Sequence, residues 1–204
     1  MFEYLMPRLF MPSYAGTLLH RTEEAAVRRQ IRYAAARGVP WGISESCYHQ
    51  VDADRTYQYR AFGVPDMGLK RGLADDLVVA PYASAMALPV ASREACANLR
   101  DMARRGWVGV YGLYEAIDFT PGRVPKNESF AVVFSFMAHH GGMSLLGLSA
   151  ALLGEPMQRR FWADLPFRAV SLLMQERIPE ARARARVAAA SESPDRETSA
   201  SHEA

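Results

Sequence analysis

Apolar positions along this chain recur in two textures, helical runs and irregular loops. Val27, Ile31, Ala34 and Ala35 fall on one face, with Arg28, Arg29 and Arg32 on the other, predicting an amphipathic helix. Thr22 reads as its N-cap, Glu23 and Glu24 suit its first turn, and Arg37 and Gly38 suit its end. Cys96, Leu99, Met102 and Ala103 define the inner side of another helix, capped by Ser92 and stopped near Gly106. The run from Asp76 to Leu88 suits a buried helix with Pro81 in an early turn. The apolar stretch from Phe130 to Leu153 suits a longer one, disturbed at His139-His140-Gly141-Gly142 and ended by Gly154. Short helices are expected from Pro156 and from Asp164 to Arg177. Between these runs, residues 39–77 and Trp107–Pro125 lose any period and interleave glycine, proline, aromatic and polar residues. Loops of that length in a packed chain are commonly functional. Val108 and Val110 alternate over too short a stretch for more than a short strand or turn. The pattern as a whole predicts an all-α fold.

Composition narrows the picture. Half of the 204 residues are hydrophobic, enough for a sizeable core. The balance of 24 Lys+Arg against 22 Asp+Glu gives a net charge of +2, without the basic excess that phosphate binding demands, so no nucleic-acid partner is expected. No uninterrupted apolar run reaches membrane-spanning length, no signal-peptide pattern opens the chain, and the cysteines Cys47 and Cys96 make neither a disulfide framework nor a zinc spacing. A reducing, cytoplasmic setting is therefore expected. The Ala/Arg block and polar run over 180–204 cannot bury enough to order itself, so an ordered domain is expected over 1–179 and a disordered tail after it.

The loops hold the chemistry. Glu45 in WGISES and Glu115 in YGLYEAID are lone acids in uncharged, aromatic surroundings, where desolvation suits a carboxyl to proton transfer. Two such acids are what glycosidic bond cleavage requires, one protonating the leaving oxygen and one attacking or stabilising the cationic ring. Trp41, Tyr48, Tyr57, Tyr59, Tyr111 and Phe119 offer flat faces for sugar rings. Loop acids can equally serve as caps or accept backbone hydrogen bonds. Asp118 is the best of the other acids for a sugar hydroxyl, while Asp75-Asp76 reads first as a cap. His139-His140 lacks a metal-ligand spacing, and the two side chains point about 100° apart on a helix, so one can face a site while the other packs. No metal or cofactor is expected.

GVPWGISES, TYQYRAFGVP, GLKRGLADDLVVAPYASA, YGLYEAIDFTP, SFMAHH followed by GMS, and LLMQERIP, in that order, resemble the glucoamylase-like central domain of cyclic β-1,2-glucan synthases. The resemblance implies part of an (α/α)6-toroid glycoside hydrolase domain, its C-terminal half, acting by retaining transglycosylation on β-1,2-glucan. It implies Glu115 as nucleophile and Glu45 as acid/base, with Tyr48, Tyr57, Tyr59, Asp76 and His139 toward the glucan, beside Trp41, Tyr111 and Asp118 from the loop reading above. It implies as partners a β-1,2-glucan and the remaining parts of a split synthase, whose parent type is anchored in the inner membrane. The family has a small residue where Cys47 stands, Asn at His49, Gln at Gly141 and a cation at Phe134. These departures leave open a second expectation, a truncated remnant that binds glucan or a partner chain without catalysis.

Overall fold

The structure, a computed structural model, describes residues 1–68 and 70–177. The expected domain end at Pro179 and the disordered tail at 180–204 lie outside the described residues. Along the chain run α1 (Phe2–Leu5), α2 (Leu18–Arg37), β1 (Ser46–Val51), β2 (Tyr57–Arg60), β3 (Val78–Val79), α3 (Pro81–Met86) and α4 (Ser92–Arg104). Then come β4 (Val108–Gly109), β5 (Gly112–Leu113), β6 (Ala116–Asp118), β7 (Ala131–Val133), α5 (Ala138–Leu153), α6 (Pro156–Phe161) and α7 (Leu165–Ala169).

The all-α expectation is overturned. Among the described residues three small antiparallel sheets form, in the orders β1-β2, β3-β6-β7 and β4-β5. Their strands are two to six residues long; β1-β2 and β4-β5 are local hairpins, while the central sheet joins strands across longer stretches, with Val78 opposite Asp118 and Ala116 opposite Val133. Two segments expected as single buried helices are each split, Asp76–Leu88 into β3 and α3, and Phe130–Leu153 into β7 and α5. Pro81 supplies the reason in the first case. It stands at the first turn of α3, where its missing N–H costs nothing, and its predecessor Ala80 is extended.

α2 begins earlier than its apolar stripe suggests. Thr17 caps it by accepting the His20 N–H, while Thr22 turns its hydroxyl back to the Leu18 carbonyl inside the helix. Gly38 ends it in the left-handed conformation, as expected. The buried face carries Ala26, Val27, Gln30, Tyr33 and Ala34, with Ala35 exposed. α4 likewise buries Ala95, Asn98 and Met102, leaving Ala103 outside, and Ser92 is its first residue with Ala91 at the cap.

Two layers result. Leu5, Leu9, Val27, Trp41, Ala83, Met86, Ala95 and Met143 form a core between helices. Ile43, Tyr48, Phe62, Val64, Val79, Met102, Trp107, Ile117 and Val133 form a second core around the strands. α3 is buried along its whole length and packs against α5 where Gly147 replaces any side chain; a Cβ there would lie 2.3 Å from the Ala85 carbonyl oxygen. The seam between the layers is also where the two candidate glutamates stand. Among the described residues no helix is long and apolar enough to cross a membrane.

Candidate functional site

Glu45 sits at the end of the loop leading into β1, and that loop is tied down by side chains acting as strand partners. The buried Gln30 amide donates to the Ile43 carbonyl (2.7 Å) and accepts the Ile43 N–H (2.9 Å). Asn98 treats Trp41 in the same way, donating to its carbonyl (2.7 Å) and accepting its N–H (3.2 Å). Gly42, at φ 123°, lies so close to α3 that a Cβ would stand 3.1 Å from both the Ala80 carbonyl and the Ser84 hydroxyl, so the backbone passes only with glycine here.

Glu115 immediately precedes β6, and its backbone N–H donates to the Ser135 carbonyl beyond β7. The residue is buried, 5% exposed. Oε1 accepts the Cys47 backbone N–H (3.2 Å), and both oxygens meet His140 Nδ1, at 2.9 and 3.0 Å. β1 thus directs two alternate N–H groups to carboxylates at either end of β6, Cys47 to Glu115 and His49 to Asp118.

His140, 3% exposed, lies flat on Tyr82 with ring centroids 3.7 Å apart and planes within 10°. Its Nε2 stands 3.4 Å from the Tyr59 hydroxyl, which donates to Glu45 Oε1 at 3.0 Å. Tyr82 in turn donates to the Glu45 backbone carbonyl (3.0 Å) and meets the Ser44 hydroxyl at 2.8 Å. Glu115 and Glu45, far apart in sequence, are therefore joined by His140 and Tyr59. Burial, and for Tyr59 also the hydrogen bond to Glu45 and its charge, push the Tyr59 and Tyr82 hydroxyls well above the ordinary phenol range, so both remain donors. Burial and the neighbouring Glu115 charge push the Cys47 thiol up. Partial desolvation of its ring and the adjacent His140 hold the His139 imidazole below its ordinary value.

Glu115 and His140 open onto a cleft of about 570 Å³ walled by Tyr111, Tyr114, Phe136, Leu145 and Leu148. Glu45 borders a second hollow of about 300 Å³, with Tyr4, Phe62, Met67 and Lys70. The remaining sequence candidates are dispersed. Tyr111 stands 81% exposed on the rim, edge-on to Phe136. His139 is exposed beside Tyr59. Trp41 is buried in the helical core, and Tyr48 is buried edge-on to Phe62 beneath the Arg60 and Arg123 guanidinium groups. Tyr57 is half-buried on β2. Asp118 is fully buried, its oxygens taken by the His49 and Thr120 N–H groups and by Arg123 (2.6 Å from Nε), and Asp76 pairs with Arg123 and Arg60. Tyr82, Tyr114 and Phe136 were not among the sequence candidates, and helix phase leaves the His139/His140 choice open until packing on Tyr82 fixes it on His140. Among the described residues no group of three or more His, Cys, Asp or Glu is placed to hold a metal ion.

A family model described as "Glycoamylase: Putative glucoamylase" matches residues 1–161. Over 179 residues, 88% of this chain, the sequence is 44% identical to the cyclic beta-(1,2)-glucan synthase NdvB of Rhizobium meliloti (strain 1021), and the chain spans 6% of that protein's length. A crystal structure titled as a putative glucoamylase from Bacteroides caccae ATCC 43185 aligns with 78% of this chain and 34% of its own, at 18% identity and a TM-score of 0.49.

Proposed function

We propose a function from one premise, that this chain belongs to the glucoamylase family. It is a carbohydrate-active domain working on glucan, and its chemistry is retaining transglycosylation on β-1,2-glucan. The observation that supports this reading is the pairing of a buried carboxylate beside an aromatic cleft with a second carboxyl reached through His140 and Tyr59.

Glu115 is the nucleophile. A carboxylate that accepts a backbone N–H and meets an imidazole is fixed in place and aimed, which attack on an anomeric carbon requires. Glu45, whose carboxyl receives only the neutral Tyr59 hydroxyl among the described residues, is the acid/base. It protonates the departing glycosidic oxygen as Glu115 attacks, then takes the proton of the incoming hydroxyl as the glycosyl–Glu115 ester breaks. When that hydroxyl belongs to the same glucan chain, the product is a ring. Tyr111, Tyr114 and Phe136 supply stacking faces along the cleft.

The carboxyls border separate hollows, and this favours a second reading: a remnant that binds glucan or a partner chain and turns nothing over. Incubation with linear β-1,2-glucan separates the two. Cyclic product from the wild type, absent with Glu115→Gln and Glu45→Gln, supports catalysis. Binding without product supports the remnant, and equal product from wild type and variants overturns the assignment of the glutamates.

A further inference from the structure

The seam between the two layers holds four polar side chains in one line, Glu115, His140, Tyr59 and Glu45, linked at 2.9, 3.4 and 3.0 Å. We infer that Tyr59 and His140 form a relay that passes one proton between the two glutamates. The inference rests on the reading of Glu45 and Glu115 as the reacting pair.

Counting hydrogens carries it. Tyr59 has one proton to donate, and a neutral imidazole has one N–H and one bare nitrogen. When Tyr59 donates to Glu45, His140 Nε2 must carry a hydrogen to meet the Tyr59 oxygen, and the short Nδ1–Glu115 contact must hold one more. In the reversed pattern Glu45 is protonated and donates to Tyr59, Tyr59 donates to Nε2, and Nδ1–H donates to an ionised Glu115. Both patterns contain three protons across the same four groups. Moving from one to the other shifts three protons by one bond each: Glu45 to Tyr59, Tyr59 to Nε2, and Nδ1 to Glu115. One carboxyl loses a proton, the other gains one, and no net charge is added to a site where His140 is 3% and Glu115 5% exposed. Buried charge is costly, so a charge-neutral exchange is the accessible one.

The surroundings hold the relay in line. Tyr82 pins the His140 ring by its stack and the Glu45 backbone by its hydroxyl, fixing both ends with one residue. The Cys47 N–H keeps Glu115 Oε1 as an acceptor in both patterns. The other titratable groups against the line are His139 on α5, Tyr82 on α3, the Cys47 thiol on β1 and, around Glu45, the Met1 amino group with Glu3, Tyr4 and Lys70. His139 and the Met1 amine are held toward their neutral forms, and burial keeps Tyr82 and Cys47 protonated. The pattern with Glu45 protonated and Glu115 ionised is the competent one for glycosyl transfer, and the relay converts the reversed pattern into it through Tyr59 and His140. Tyr59 and His140 act through the glutamates, so they are positioning residues.

The test is nitrogen NMR of the full chain labelled at histidine, with His140 assigned by the signals missing in His140→Gln. In the wild type the His140 ring nitrogens follow two titration steps, shared with the two carboxyls. Glu45→Gln and Tyr59→Phe each leave one step. Glu115→Gln fixes the Nε2–H tautomer, because the Cys47 N–H holds the new amide oxygen and turns its NH₂ toward Nδ1. A single step in the wild type, or an unchanged two-step curve in Tyr59→Phe with the fold intact by near-UV dichroism, overturns the relay. Glucan turnover is measured separately: the relay signature without turnover refutes the enzymatic reading and keeps the relay, and turnover without the signature does the reverse.

Discussion

Replacing Gly147 by Ala tests whether the α3–α5 contact determines the site. A methyl at this position would lie 2.3 Å from the Ala85 carbonyl oxygen, 3.0 Å from the Ala85 carbonyl carbon and 3.2 Å from Met86 Cα, against ordinary contacts beginning at 3.4 Å. The obstructing atoms are backbone and cannot rotate aside, so the two helices must part by about 1 Å. Overpacking of this kind costs about 1–3 kcal/mol, and the upper part applies because α3 is buried along all six residues. Helix propensity returns at most about 1 kcal/mol of this. A net loss of about 2 kcal/mol lowers Tm by about 4–8 °C in a chain of this size. Because α3 carries Tyr82 and α5 carries His140, parting them also breaks the 3.7 Å stack. Gly142→Ala is the control, since no atom lies within 4 Å of a Cβ there; it raises Tm slightly. Paired thermal melts followed by circular dichroism decide it. A Gly147→Ala melt within about 1 °C of the wild type would refute the claim that backbone approach sets this interface.

Other outcomes follow from single residues. Gln30→Ala strands the buried Ile43 N–H and carbonyl and costs about 2–5 kcal/mol by urea unfolding. Asp118→Ala leaves the Arg123 guanidinium without its buried partner and costs about 3–5 kcal/mol, so the loss shows in stability before any glucan affinity. Burial raises the Glu23 carboxyl above its usual 4.5, outweighing the Ser13 hydrogen bond and the Arg8 charge that lower it. A raised acid contributes stability that is complete below pH 4.5 and is lost as pH climbs through the folded value. Glu23→Gln therefore gains on the wild type as pH rises from 4.5 through the folded value, and a Tm difference that stays constant or shrinks over that rise would refute the sign.

Much of the helical layer is legible in the sequence because its signals are local. Gly38 and Gly154 end α2 and α5 where glycine after an apolar run predicts a left-handed stop. The strands escape the same treatment. A two-residue strand such as Val78–Val79 has no period to detect, and its partner β6 lies beyond α3 and α4. Glu45 and Glu115 stand out by their uncharged aromatic settings, and the structure ties them to one hydrogen-bonded line. Asp118 stands out equally, and the feature that separates it, the Arg123 fork, depends on a loop closing back onto the strand. Gln30 reads as one polar residue on a helix; its use as a stand-in strand partner is visible only once Ile43 lies beside it.

The β6–β7 ladder sets Ala116 against Val133 and Asp118 against Ala131, with Glu115 at the strand's mouth. Alternation along so short a ribbon sends neighbouring side chains to opposite faces. A slip of a single rung would send the carboxylate of Glu115 away from the imidazole and offer an alanine methyl instead. The same slip would carry Asp118 away from Arg123, so misthreaded copies of this domain would be chemically mute and would also melt early.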